Sequence, residues 1–432
     1  MTGSNKRRAV NCVEEDRISN LPEHLISTIL ELLPLQDAVK TSILSKKWRY
    51  TWTKMRKLVF DNYFFNKFAK NGAFGRNGFT RIINKVLNLH TGPISKFFIS
   101  IPNINTFLDS FEEVDQWMLL LSRNGVKELI FTNSNQCYKL PCYLFSCVEL
   151  TKLSVQNCVF KPPLEFKGFI NLTDLRLKYI HFTCGTQINL PQLGALWLDT
   201  CTNVCNFDIK AAKIHHLFVL RCPDVKLLRL LHSPCIKALG TYFTNPIRDI
   251  DLVERITLEA MLSNLPKIEY LNCDGFFFKV LIKEKIPKWL PNMVNSLKHL
   301  QVLYLHLGDL DQLHGVLCLL RNSPNLESLY VTCLKTDPRV DVGPALSYLE
   351  APDCLDCTLI KLKSVKMKSL EGSRPELLFI KLLLAHSPCL EKLGIASSGS
   401  CDAKKRFDIA KDVMRFPRAS PKAEAIYLNP EP

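Results

Sequence analysis

Chemistry at a side chain needs a nucleophile, base or metal ligand with partners at fixed spacing, and three places in this chain invite the question. Cys354 and Cys357 form a C-x-x-C pair, which could hold zinc or cycle as a dithiol. A zinc site wants a second such pair or two histidines, and His386 stands alone 29 residues further on. His215-His216 is the densest histidine cluster. A hydrolase would need a nucleophile and an orienting group beside it, but this pair reads as part of a strand. Alternation there turns one ring inward and sets His216 outward beside Leu217. Gly72, Gly75 and Gly78 in NGAFGRNG read as a loop, because no strand-then-helix pattern ending in GK[ST] surrounds them to cradle a phosphate. No G-x-S-x-G or H-E-x-x-H occurs. The reading is a non-catalytic protein with no metal and no cofactor.

Composition sets the class. The chain has 432 residues, 47% of them apolar, a net charge of +15 and 17 cysteines. No run of 18 apolar residues is present, so no membrane span is expected. MTGSNKRRAV is not followed by an apolar stretch, as a secretory signal would be. These features predict a soluble intracellular protein of the nucleus or cytoplasm, its thiols reduced and used as small core residues. The positive balance favours nucleic acid as a partner. However, Lys and Arg are spread along the chain, and the cluster Lys6-Arg7-Arg8 reads as part of a solvated basic tail, residues 1–15.

The elements that could position a binding surface are repeats. Val126-x-x-Leu129-x-Phe131 is followed by the same pattern from Leu150, Leu172, Leu193, Ile214, Ile268, Leu300, Leu326 and Leu390. The central spacings of 22, 21 and 21 residues match a leucine-rich repeat. Each L-x-L predicts a short strand with two side chains inward and the middle one outward, and stacked repeats share one core. Cys158, Cys201 and Cys222 fall where such repeats accept Asn or Cys. Helices are predicted over 81–89, 109–123 and 313–321. Between Ile236 and Leu300 the period stretches, and the apolar run Phe276 to Leu281 reads as an insertion loop. The predicted fold class is α/β: a small helical module, then a solenoid of short parallel strands with convex-side helices.

That module is Asp16 to Asp61. Leu25, Ile29 and Leu32 recur at helical spacing, Pro34 breaks the helix, a second helix follows from about Leu35, and a third is predicted from Ser45 through Trp48, Trp52 and Met55. So short a segment cannot bury all its apolar side chains alone, so a partner is expected to cover the excess.

The segment resembles an F-box, through Leu21-Pro22, Ile29, Leu32-Leu33-Pro34, Asp37-Ala38-Val39, Ser42, Leu44-Ser45 and Trp48-Arg49. The run SILSKKWRYTW is similar to the plant branch. Farther on, Leu362 to Met367, Leu370-Glu-Gly372, Glu376 to His386, Leu390 to Leu393 and FPRASPKAEAIYL resemble the FBD domain, which follows F-box and leucine-rich repeats in a large plant family. Leu370 departs from the aromatic residue common there. The domains so read are F-box 16–61, repeats 62–353 and FBD 354–428, the last continuous with the solenoid.

The resemblance implies a substrate-recognition subunit of an SCF-type ubiquitin ligase. Leu21, Pro22, Ile29, Leu32, Leu33, Pro34, Val39, Leu44, Ser45 and Trp48 would contact a Skp-family adaptor, which carries a cullin. Lys46, Lys47 and Arg49 suit an acidic adaptor surface. The outward strand residues Arg176, Trp197, Phe218, Tyr304 and Tyr330, with Lys178 alongside, would meet an unknown protein target, the basic pair suggesting an acidic or phosphorylated one. The alternatives are a scaffold working outside a ligase and a basic solenoid binding nucleic acid.

Overall fold

Alternate burial along short strands is what builds this molecule. The computed structural model describes residues 18, 21–69, 78–101, 111–183, 186–225, 231, 233–243, 257–281, 287–335 and 340–428. The basic tail and most of the NGAFGRNG loop lie outside these residues. The chain divides into two units, Met1–Asn135 and Gln136–Pro432.

The first unit opens with helices α1 (Glu23–Leu32) and α2 (Leu35–Lys40), separated by Leu33 and Pro34 in extended conformation. The third helix expected from Ser45 does not form. Turns and a 3-10 segment, Thr51–Lys54, stand there. Thr51 and Thr53 hydroxyls take the carbonyls of Lys47 and Tyr50, each at 2.7 Å, a local competition that disfavours regular helix. Trp48, Trp52 and Met55 are buried nonetheless.

The chain then enters parallel strands β1 (Lys57–Phe60), β2 (Lys96–Ile101) and β3 (Glu128–Asn133). Helices α3 (Asn62–Ala69) and α4 (Gly78–Leu89) lie between the first two, and α5 (Glu112–Arg123) precedes the third. Leu58, Phe97 and Leu129 pair in register and are buried, as are Phe60, Ile99 and Phe131. The repeats therefore start two strands earlier than the spacing predicts. Met55-x-x-Leu58-x-Phe60 and Ile94-x-x-Phe97-x-Ile99 obey the pattern, with Met and Phe in place of Leu hiding it.

In the second unit the strands are β4 (Tyr138–Lys139), β5 (Lys152–Phe160), β6 (Asp174–Phe182), β7 (Thr186–Asn189), β8 (Ala195–Asp199), β9 (Phe207–Lys210), β10 (His216–Leu220), β11 (Ala238–Tyr242), β12 (Tyr270–Asp274), β13 (His299–Leu305), β14 (Ser328–Cys333), β15 (Ser364–Leu370), β16 (Lys392–Ser397) and β17 (Glu424–Tyr427). From β5 onward they form one parallel sheet in chain order, with β4 on β5 and with β7 and β9 paired apart from it. The helices are α6 (Leu258–Ser263), α7 (Gly275–Leu281), α8 (Leu310–Asn322), α9 (Gly343–Glu350), α10 (Arg374–His386) and α11 (Ala403–Arg415). Strands β15 to β17, in the segment that resembles the FBD domain, continue the sheet without a change of direction.

Register decides which side chains share the outward row. Ser154, Arg176, Trp197, Phe218, Gly240, Asn272, Gln301, Tyr330 and Lys366 are successive Cα partners. Tyr304, expected in this row, is not in it. The inward pair of that repeat is Leu300 and Val302, three residues before Leu303 and Leu305, so Gln301 takes the place. Tyr304 instead has φ +52°, like Asn157, Tyr179, Thr200, Arg221 and Ser369 at +52 to +58°. Each of these lies four residues after the first inward position, where one residue takes a left-handed conformation. Asn157 alone among them is of a type that favours this conformation.

The run Phe276 to Leu281 is helix α7, not a loop. Phe277 and Phe278 are fully buried, and Phe278 fills the space left by Gly315 on α8, where a Cβ would stand 2.2 Å from the ring. Asp274 holds the helix start. Its carboxylate accepts from the backbone N–H of Phe277 at 2.9 Å and of Phe243 at 2.8 Å. Burial pushes its pKa up to about 7 despite both bonds. A carboxyl raised in the folded state contributes stability that is full below its unfolded value, about 3.9, and is lost as pH rises through the folded one. Wild-type chain should therefore lose stability between about pH 4 and 7 relative to Asp274→Asn, compared by urea midpoints at each pH; parallel profiles would refute this.

Candidate functional site

The candidate residues fall on two surfaces, one in each unit. The first is on the helical module. Helix α1 carries two apolar stripes. Ile26 and Leu30 are buried beneath it, while Leu25, Ile29 and Leu32 face solvent at 42, 39 and 81% exposure. The i, i+4, i+7 stripe legible in the sequence is thus the outer face, not the core face. Ile43 and Leu44 are exposed as well. Pro22 and Pro34 are exposed, and Leu21, Leu33, Val39 and Ser45 are half-buried.

Trp48 is a correction. At 2% exposure it belongs to the chain's own core, its indole Nε1 donating to the Ile18 carbonyl at 3.3 Å, so it supports the surface from beneath and is closed to a partner. Of the basic run, Lys47 donates to the Leu21 carbonyl, and the Arg49 guanidinium lies 5.7 Å from the Tyr50 ring. Lys46, Lys47 and Arg49 are all exposed. Polar groups are left over in this module: the Gln36 amide nitrogen and the Ser42 and Ser45 hydroxyls are buried without a hydrogen-bond partner.

The end of the module is tied to the segment between α4 and β2. His90 Nε2 meets the Met55 carbonyl at 2.7 Å, Thr91 N donates to the Thr53 carbonyl at 2.9 Å, and Gly92 leaves room for Lys54, whose Cα would lie 3.0 Å from an added Cβ.

The second surface is the outward strand row. Arg176, Trp197 and Phe218 lie side by side. The guanidinium sits 5.3 Å from the Trp197 ring, and the two aromatic rings stack at 3.9 Å and 14°. Phe218 leans over Gly240, where an added Cβ would come within 2.3 Å of it, so the absent side chain is what lets the stack lie flat. Trp197 and Phe218 are half-buried and Arg176 is exposed.

The charges here are paired. Arg176 binds Asp174 at 3.0 Å, Lys178 binds Asp199 at 3.7 Å, and Arg221 also binds Asp199. The expectation of an acidic target rested on two uncompensated cations. Both are in ion pairs, but Lys178 and Arg221 share Asp199, so three cations meet two carboxylates beside the aromatic row. Farther along, Tyr330 is flanked by the ammonium groups of Lys366 and Lys368, 5.8 and 5.7 Å from its ring centroid.

The groups that invited a catalytic reading are placed otherwise. Burial pushes the Cys354 and Cys357 thiols up to about 11 each, away from the thiolate form that metals and electrophiles require. His386 Nδ1 meets the Cys357 carbonyl, not its sulfur, at 3.1 Å. His215 and His216 are both exposed; His215 precedes the strand, so alternation does not turn it inward. The Cys158, Cys201 and Cys222 thiols are buried and donate to the carbonyls of Gln156, Leu177 and Leu220 at 3.3 to 3.4 Å. Among the described residues no group of three or more His, Cys, Asp or Glu could hold a metal, and no helix is long and apolar enough to cross a membrane.

Sequence reasoning missed one buried cluster, for which a lone Arg in the apolar run VLCLLRN was the available signal. Arg321 is 3% exposed and donates to Tyr348 Oη at 2.7 Å and to the Cys354 carbonyl, with Asp356 at 3.4 Å. The Cys354 to Cys357 segment thus serves to hold α8 against α9.

Known proteins share both surfaces' framework. A family model described as the F-box domain matches residues 18–60, and one described as "FBD-associated F-box protein At5g56370, LRR repeats" matches residues 114–331. The F-box/FBD/LRR-repeat protein At1g13570 of Arabidopsis thaliana is 33% identical over 420 residues, covering 96% of this chain and 99% of that protein. The FBD-associated F-box protein At5g56370 of the same plant is 24% identical over 454 residues, covering 95% of this chain and all of that protein. With its helical F-box and parallel-strand repeats, the chain belongs to the family of F-box/FBD/LRR-repeat proteins.

Proposed function

We propose that this chain is the substrate receptor of an SCF-type ubiquitin ligase, acting in the nucleus or cytoplasm. The F-box holds a Skp-family adaptor and, through it, a cullin, while the repeats hold the protein to be modified. The chain contributes no chemistry of its own; it raises the local concentration of target lysines near the ubiquitin carrier. The observation that supports this best is the outward stripe Leu25, Ile29 and Leu32. A surface module with a complete apolar face turned to solvent is a contact site awaiting a partner.

The Arg176–Trp197–Phe218 row is the proposed target face, with Lys178 and Tyr330 on the same side. Trp and Arg are the types that dominate binding energies, and a stacked pair is pre-ordered, so little side-chain entropy is lost on contact. The stacked rings suit a target segment presenting an aromatic or aliphatic side chain. Trp197→Ala with Phe218→Ala should fold, retain the adaptor and lose at least tenfold of target capture in a quantitative pull-down from the source tissue. Unchanged capture of every wild-type partner would place the target face elsewhere.

A further inference from the structure

Helix α11 turns one face to the core and the other to solvent. Asp402 caps its start, accepting from Lys405 N at 2.7 Å. Ile409 and Val413 are buried, and Ile409 packs over Gly372, where an added Cβ would stand 2.7 Å from it. The inner face thereby fixes the helix. On the opposite side Phe407 and Met414, two turns apart, are 67 and 68% exposed. Lys404, Lys411 and Arg415 are exposed on that side too, at the three- and four-residue spacings that make neighbours on a helix.

Two features separate this face from an ordinary solvated one. Its cations are uncommitted: among the described residues Lys404, Lys411 and Arg415 form no ion pair, whereas Arg176, Lys178 and Arg221 on the strand row all do. Lys404 also stands in the first turn, the positive end of the helix dipole, where a cation works against the fold. Asp408, at the edge of the face, is the helix's one exposed carboxylate.

We propose that this face of α11 docks an acidic amphipathic helix of a partner protein. Apolar side chains of the partner seat on Phe407 and Met414, and its carboxylates meet Lys404, Lys411 and Arg415. A helix lying on an anionic membrane buries a continuous apolar face. Here Ile409 and Val413 are committed to the core, and the two remaining apolar side chains have a cation between them, which suits anchors on successive turns of a partner helix. The face belongs to neither the F-box nor the outward strand row, so the inference is independent of the proposed receptor role.

The test is fluorescence anisotropy of the full chain with two labelled synthetic peptides of the same leucine and glutamate content. In one the leucines share a helix face; in the other the order is scrambled. The amphipathic peptide should bind, at least about tenfold more tightly than the scrambled one, and more weakly as salt is raised. Phe407→Ser with Met414→Ser, and Lys404→Glu with Lys411→Glu, should each weaken it about tenfold without lowering the melting temperature, since all four side chains are exposed. Should one pair melt early, the other decides. No binding of the amphipathic peptide, or binding that the variants leave unchanged, overturns the proposal. Co-sedimentation with phosphatidylserine vesicles without peptide binding would make the occupant a membrane. A dimer in light scattering that Phe407→Ser with Met414→Ser dissolves would make it a second copy of this chain. Either result also overturns it.

Discussion

Ile29→Asp with Leu32→Asp should yield a chain that folds and melts as wild type yet no longer retains a Skp-family adaptor. Leu32 is 81% exposed and Ile29 39%, so a carboxylate at either is solvated in the free chain and little folding energy is at stake. In a complex the same positions would be desolvated. Losing an apolar anchor at the centre of an interface costs at least about 2 kcal/mol, roughly 30-fold in affinity, and burying an unpaired carboxylate adds to it. Ile26→Asp and Leu30→Asp, one helix face away, are the contrast: both positions are fully buried, so these variants should fail to fold. Retention of the adaptor by the outer pair would show that the exposed stripe is not its site.

Arg321→Met should lower the urea midpoint by the equivalent of about 3 kcal/mol. Breaking a buried charged pair costs about 3–5 kcal/mol, and the lower end applies because Asp356 keeps about a third of its side chain in water. The Cys354 carbonyl and Tyr348 hydroxyl also lose their donor. Lys288→Met removes ion pairs to Asp353 and Asp356 at 3.2 and 3.1 Å, but the side chain is 38% exposed and solvent screens both pairs, so its urea midpoint should shift far less. Equal shifts in the two variants would mean that the buried arginine is not what clamps α8 to the segment after α9.

Much of this architecture is legible in the sequence because strands repeat every second residue and repeats recur at a nearly fixed period. The inward pairs of β5, β6, β8, β10, β12 and β14 and the helices α4, α5 and α8 follow from spacing alone. Three features do not. Register around Leu300 is ambiguous because Leu297, Leu300, Leu303 and Leu305 satisfy the pattern in two frames, and only pairing with Leu271 and Leu329 selects one. The early strands are hidden because Met55, Phe60 and Phe97 fill leucine positions.

The third is the sorting of the F-box. Leu25 and Ile26, or Ile29 and Leu30, are adjacent and equally apolar, so periodicity alone does not say which stripe meets the core. Burial of Trp48 and Trp52 inside the module is set by packing that composition does not encode. Charge pairing across strands, such as Lys178 with Asp199, is likewise a consequence of register, which brings residues 21 apart to adjacent positions.

The central claim, that this chain joins a target to a cullin-based ligase, is tested most directly by assembly. Full chain, purified Skp-family adaptor and purified cullin are mixed and their complex is weighed by light scattering after gel filtration. The account predicts one species containing all three, formed only when the adaptor is present and lost with Ile29→Asp and Leu32→Asp. A chain that binds the adaptor but excludes the cullin, or one that ignores the adaptor altogether, would contradict it.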